Sequence, residues 1–225
     1  MALILCIETT TTNCSVALAK NGKVLALKED MGLNYSHAER LHVYIQDVLN
    51  EAGLGTKKLD AIAVSKGPGS YTGLRIGVSS AKGLSFSLNI PLLATNTLKA
   101  LAMQARTEDI KYVIPVLDAR RMEVYSAIYD NNFKEIREIQ AQIIDENSFK
   151  DYLNQGKTIF VGDGAEKLID VIKHPNATFQ TKALPSAREM AVLADAKNKI
   201  SDIEDVAYFE PFYLKDFHVN KPKKK

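Results

Sequence analysis

The residues best suited to chemistry stand near the start of the chain, where Glu8 ends an apolar run and Thr9, Thr10, Thr11, Thr12 and Asn13 follow it. Hydroxyl and amide donors behind an acidic residue suit two purposes: contact with nucleotide phosphates, or a polar turn capped by its own side chains. A second segment, Lys66-Gly67-Pro68-Gly69-Ser70-Tyr71-Thr72-Gly73-Leu74-Arg75-Ile76-Gly77, joins a short apolar strand to a helix. A glycine loop opening a helix is a phosphate-binding arrangement, because the first amides of the helix have no internal partner. This helix, however, carries Gly73, Gly77 and Ala81 at spacing four on one face. The three interior glycines at 73, 77 and 83 together cost about 3 kcal/mol of helix propensity relative to alanine, so packing must compensate. A face almost without side chains suits close approach by another helix, of this chain or of a partner. In the second case Gly77→Leu would break docking and leave the isolated fold mostly intact.

A third group, Asp118, Arg120, Arg121 and Glu123, follows an apolar strand and reads as substrate contacts or as a structural ion-pair network. Asp163, between two glycines, reads as a helix cap. Ser36 and Ser70 both have capping roles, and nothing in the sequence places either beside a histidine as a nucleophile requires. His37, in the first turn of a helix, is expected to be neutral and partly exposed. His42 lies five residues on, the wrong spacing for sharing an ion with it. No cysteine or histidine spacing matches a metal site. Cys6 and Cys14 read as reduced core thiols, which with the absence of a leader or long apolar span favours the cytoplasm.

These groups need elements to hold them. Leu3 to Glu8, Cys14 to Ala19 and Val24 to Lys28 read as strands, with Asn21-Gly22 as the hairpin turn between the last two. His37 to Ala52 reads as a helix with a Ser36/Glu39 capping box and an apolar stripe of Leu41, Ile45, Val48, Leu49 and Ala52. Leu59 to Ser65 is a buried strand, the glycine helix runs to about Leu88, Pro91 to Thr95 is a strand, and Thr97 to about Arg106 is a helix closing the first half. A second half starts with strands Tyr112 to Leu117, Glu123 to Tyr129 and Phe133 to Ile139. A helix near Ser148, a strand Thr158 to Val161, a helix from Gly162 to Ile172, a strand near Ala177 and a capped helix from Ser186 to about Lys199 complete it. Tyr208 and Phe209 are expected to anchor the final aromatic segment on the body. The organisation is therefore two α/β lobes, residues 1–106 and 107–225, with the last segment packing back on the first.

The stretches ILCIETTTTNCSVAL, NYSHAERL, KGPGSYTGLRIGVSSAKGL, LDARRMEVYSAIY, VGDGA and PFYLK together resemble the bacterial TsaB (YeaZ) family across nearly the whole chain. The resemblance implies a two-lobed actin-like ATPase (ASKHA, ribonuclease H-like) fold, with mixed sheets flanked by helices, in which the Glu8, Thr9, Thr10 and Asn13 hairpin would face nucleotide phosphates. It implies a non-catalytic partner of a TsaD-like catalytic subunit, joined by a TsaE-like ATPase, in transfer of threonylcarbamoyl from its adenylate to the adenosine 3′ of the anticodon in tRNAs reading ANN codons. TsaD-like proteins hold a metal with two histidines at spacing four, and here Leu41 stands four after His37, which breaks the pair. The resemblance further implies an intermolecular helix bundle with the catalytic subunit or, without it, a homodimer. It assigns Gly73, Leu74, Gly77, Ala81, Leu41 and Ile45 to that interface. No tightly bound cofactor is expected, with ATP or ADP entering only in the assembled complex, and tRNA is met through the complex. The competing expectation is an ATP-dependent small-molecule kinase or acyl-transfer enzyme that uses the hairpin directly.

The 225 residues, 46% hydrophobic, suffice for one large or two small domains. The formal net charge is +2, and Lys221, Lys223, Lys224 and Lys225 supply four positive charges at the end, so the body without them stands at −2. That balance excludes a general polyanion-binding surface. The lysines read as a solvated tail or as an aid to tRNA contact.

Overall fold

Short apolar strands build two sheets of one plan in this computed structural model, which describes residues 2–30, 37–105 and 108–215. In the first, β1 (Leu3–Glu8), β2 (Cys14–Lys20), β3 (Lys23–Asp30), β4 (Ala61–Ser65) and β5 (Leu92–Thr95) lie in the order β3-β2-β1-β4-β5. β1, β2 and β3 form an antiparallel meander, and β4 and β5 add parallel to β1. In the second, β6 (Tyr112–Asp118), β7 (Glu123–Asp130), β8 (Glu135–Ile143), β9 (Thr158–Val161) and β10 (Ala177–Gln180) repeat that order with β6 in the place of β1. The mixed sheets flanked by helices are those expected from the sequence.

Alternation along β1 splits the first lobe's core. Leu3, Leu5 and Ile7 point to one face of the sheet, and Ile4 and Cys6 to the other. Helices α1 (His37–Glu51) and α2 (Tyr71–Leu88) cover the first face with Leu41, Ile45, Val48, Leu49 and Val78. α5 (Ala187–Lys199) covers the second with Ala187, Met190 and Ala194. So the chain's last helix completes the core of its first sheet. α3 (Thr97–Ala102) does the converse: Leu98, Leu101 and Ala102 pack on the second sheet, while Ala100 stays with the first. α3 is thus shorter than the expected helix and joins the lobes instead of closing the first. The other face of the second sheet is covered by α4 (Lys150–Leu153) and the 3-10 turn Asp163–Leu168. The 3-10 turn replaces the helix expected to run to Ile172.

Local chemistry accounts for the boundaries. Ser70 caps α2 by accepting a hydrogen bond from Gly73 N at 3.3 Å, and Asn89 ends it in the left-handed conformation at φ 53°. Asn96 accepts from the amides of Leu98 and Lys99 at the start of α3, and Ser186 accepts from Arg188 N at 3.1 Å at the start of α5. Asn21 and Gly22, at φ 52° and 75°, make the β2–β3 turn. Ser36, the expected cap of α1, lies outside the described residues, as do Arg106 and the four terminal lysines.

Candidate functional site

β1 delivers Glu8 into the protein interior, where it is fully buried. One carboxylate oxygen accepts from Thr10 N at 2.6 Å and the other from Ser65 Oγ, which also lies 3.1 Å from Thr97 Oγ1. Burial pushes its pKa above the usual carboxylate range, against hydrogen bonds from Ser65 and Thr10 that pull it down. Thr9, Thr10 and Asn13 are buried as well. Thr9 Oγ1 donates to Gly73 O at 2.7 Å, Thr10 O accepts from Ser70 N at 2.7 Å, and Asn13 Nδ2 donates to Pro185 O at 2.9 Å. The hydroxyl-rich hairpin is therefore bound to the α2 entry and to the segment before α5, while the buried Thr10 Oγ1 and Asn13 Oδ1 have no hydrogen-bond partner among the described residues.

The glycines make the contact with α2 feasible. A Cβ on Gly73 would overlap the carbonyl oxygen of Thr9, and one on Gly77 would overlap its hydroxyl oxygen. The small face of α2 is a seat for the β1–β2 hairpin, so the close approach expected of a second helix is made by a turn of the same chain. Leu41, Ile45, Gly73, Leu74, Gly77 and Ala81 are all buried inside the subunit. Expecting Gly77→Leu to spare the fold is thus incorrect, because a leucine there would displace Thr9.

A different ridge remains open. Along α2, Ser79, Gly83 and Phe86 face outward, Gly83 with nothing near its missing side chain and Phe86 82% exposed. α1 presents Val43, 54% exposed, and His42, whose Nε2 lies 3.3 Å from Ser80 Oγ of α2. On the far flank Lys82 Nζ donates to the carbonyls of Ala207 and Phe209, with Tyr208 85% exposed between them. Phe209 anchors in the core as expected, but Tyr208 does not. The signal for this ridge was present in the sequence: Phe86 falls off the buried stripe, in line with Gly83 and Ser79 on the helix. Phe86 and Val43 are thus exposed apolar side chains on two helices joined at their flanks by His42 and Ser80.

His37 differs from expectation in being buried, with its Nε2 donating to Thr11 O at 2.7 Å. Burial lowers its pKa, in keeping with a neutral ring. Among the described residues no group of three or more His, Cys, Asp or Glu side chains could hold a metal ion. Cys6 and Cys14 are both buried free thiols, pushed up by burial to about 12 and about 11.

Between the two hairpin tips lies a cavity of about 760 Å³, lined by Thr10, Ser70, Tyr71, Asp118, Arg120 and Tyr213 among others. Phe212 N donates to Lys66 O at 2.7 Å, Tyr213 lies against Tyr71 with ring centroids 4.9 Å apart, and Lys215 pairs with Glu123 of the second lobe. The final described segment thus spans the cavity from lobe to lobe. Asp118 pairs with Lys167 at 2.7 Å and Asp163 Oδ1 accepts from Asp118 N at 3.0 Å, so both acids of this region have structural partners. No helix among the described residues is long and apolar enough to cross a membrane.

Comparison with known proteins follows the same lines. A family model described as TsaD, tRNA N6-adenosine threonylcarbamoyltransferase, matches residues 33–222. The tRNA threonylcarbamoyladenosine biosynthesis protein TsaB of Escherichia coli K12 is 31% identical over 95% of this chain and 94% of its own length. TsaB of Haemophilus influenzae is 30% identical over 95% of this chain and 93% of its own. The solved structure of YeaZ from Pseudomonas aeruginosa superposes with a TM-score of 0.82 at 29% identity, covering 95% of this chain and all of that one.

Proposed function

Because the chain belongs to the TsaB (YeaZ) family, we propose that it is the non-catalytic partner of a TsaD-type subunit in making threonylcarbamoyladenosine in tRNA. In this reading the catalytic subunit moves threonylcarbamoyl from threonylcarbamoyl-AMP to the adenosine 3′ of the anticodon in tRNAs reading ANN codons. This chain docks on it and supports that transfer, a TsaE-type ATPase joins the assembly, and all act in the cytoplasm.

The observation that supports the reading is the contrast between a hairpin tied to α2 and apolar side chains left exposed on α1 and α2. The Thr9 hydroxyl and the Thr10 carbonyl are bonded to the entry of α2, and Glu8 is buried with protein donors. Phe86, Gly83 and Val43 present apolar surface on two helices packed side by side. In water such side chains gain from burial by a partner, and an aromatic is a common anchor of an interface. The docking residues are then Val43, Gly83 and Phe86, with the buried Leu41, Ile45, Gly73, Leu74, Gly77 and Ala81 fixing the helices from beneath. Without the catalytic subunit the same ridge pairs two copies of this chain. ATP and ADP act in the assembly and are not held by this chain alone.

Reconstitution tests the reading: TsaD, TsaE, threonylcarbamoyl-AMP and tRNA are combined, with this chain added or omitted, and the modified nucleoside is measured. Modification that depends on the added chain supports it, and equal yield in both arms removes it. Calorimetry of the isolated chain with ATP addresses the kinase or acyl-transfer alternative, which requires binding and turnover.

A further inference from the structure

The β6–β7 turn is built in a way its sequence does not favour. Arg120 and Arg121, in the four-residue connection between Asp118 and Glu123, both adopt the left-handed conformation at φ 69° and 52°, which Asn and Gly tolerate better than Arg. Side chains with a Cβ are disfavoured there, and such residues persist when their surroundings over-determine them. Here they do. Ala119 N donates to Glu123 O and Glu123 N to Arg120 O, while Arg120 N donates to Asp118 Oδ1 at 2.6 Å. From beneath, the mostly buried Lys167 Nζ donates to Arg121 O at 2.8 Å and Glu123 O at 2.5 Å, and pairs with Asp118.

The neighbouring acids are already neutralised, Asp118 by Lys167 and Glu123 by Lys215. Arg120 and Arg121 are exposed, and neither pairs with a carboxylate among the described residues. Two exposed guanidinium groups are thus held on this turn, that of Arg120 at the rim of the interlobe cavity, at positions Asn and Gly would occupy with less strain. Across that cavity stand Tyr71 and Tyr213, with the guanidinium of Arg75 5.4 Å from the Tyr71 ring centroid. Arginines that match phosphate geometry, facing aromatic rings, are the pairing that single-stranded nucleic acid uses.

We propose that the Arg120–Arg121 turn contacts RNA phosphates directly, so that this chain holds part of the unpaired region of the tRNA in the assembled complex. The proposal rests on the reading of the chain as the partner subunit of a tRNA-modifying enzyme.

The test is tRNA binding by the reconstituted complex over a series of salt concentrations, with wild type, R120N/R121G and R120K/R121K. The Asn-Gly variant should fold more stably, its melting temperature rising by about 2–4 °C for each residue relieved of strain. It should also lose affinity for tRNA, with the slope of log K against log salt shallower by about 1.4 for two lost phosphate contacts on a single strand. The Lys-Lys variant should keep the wild-type slope. An Asn-Gly complex that binds tRNA with unchanged affinity and slope overturns the proposal. So does loss of assembly with the catalytic subunit at an unchanged slope, which would make the turn a protein contact. If wild-type chain does not stimulate modification, the partner-subunit reading fails; if it does and only the slope result is missing, the failure belongs to this inference alone.

Discussion

The two lobes share a strand order and differ in what they place on it. In the first, the crossovers carry a 15-residue and an 18-residue helix, and the hairpin between the first two strands packs on the start of the second of these while its tip lines the cavity. In the second, the corresponding crossovers shrink to a four-residue helix and a six-residue 3-10 turn, and the corresponding hairpin carries two exposed arginines, Arg120 at the cavity rim. One plan therefore yields a lobe whose hairpin is tied to a long helix and a lobe whose hairpin carries exposed arginines.

The largest effect should come from breaking the packing of the first hairpin on α2. Gly73→Ala places a methyl group against the Thr9 carbonyl, and overpacking of this kind costs about 3 kcal/mol, or roughly 6–12 °C in melting temperature. Gly164→Ala at the second lobe's equivalent turn, where the nearest atoms lie 3.0 Å away, should cost clearly less. Equal melting of the two variants would remove the distinction between the two glycine turns. Next is the ridge: Phe86→Asp should weaken binding to the catalytic subunit by about 30-fold or more, the range of an interface anchor, and leave the melting temperature of the isolated chain nearly unchanged. Tight binding by this variant would move the docking surface elsewhere.

Glu8 gives a smaller and pH-dependent effect. Its folded-state pKa is raised, so the folded protein holds a proton that the unfolded chain releases, and stability falls as pH rises above the ordinary glutamate value of 4.5 toward the folded value. Glu8→Gln keeps an acceptor for Thr10 N and has no charge to bury. Thermal melts should show it matching wild type at acidic pH and exceeding it at neutral pH, with up to about 1.4 kcal/mol gained per pH unit inside the window. A constant difference at all pH values would contradict burial as the cause. The smallest effect is Gly83→Ala, which meets open space and should stabilise α2 by about 1 kcal/mol.

Much of the scaffold was legible because it is local. The Ser70 cap, the full length of α2, the Asn21-Gly22 turn and the bounds of β1 and β9 follow from capping chemistry, turn conformation and apolar patterning within a few residues. The site was less legible because its partners are distant. Spacing four identified the small face of α2, but not that its occupant is Thr9, 64 residues away in the chain. Likewise α5 closes the first sheet through Met190 and Ala194, a pairing no local pattern contains. Tyr208 and Phe209 are adjacent and equally aromatic, and only the packing of the segment against Lys82 and the core separates the exposed ring from the buried one.

The account rests on the ridge of α1 and α2 serving as the docking surface of a partner subunit. The most direct measurement is the yield of threonylcarbamoyladenosine in tRNA from TsaD, TsaE and threonylcarbamoyl-AMP with no added chain, with wild-type chain and with the Phe86→Asp chain. The account predicts modification only with wild type, while the variant melts as wild type does on its own. Full yield without the chain, or with the variant, would contradict it.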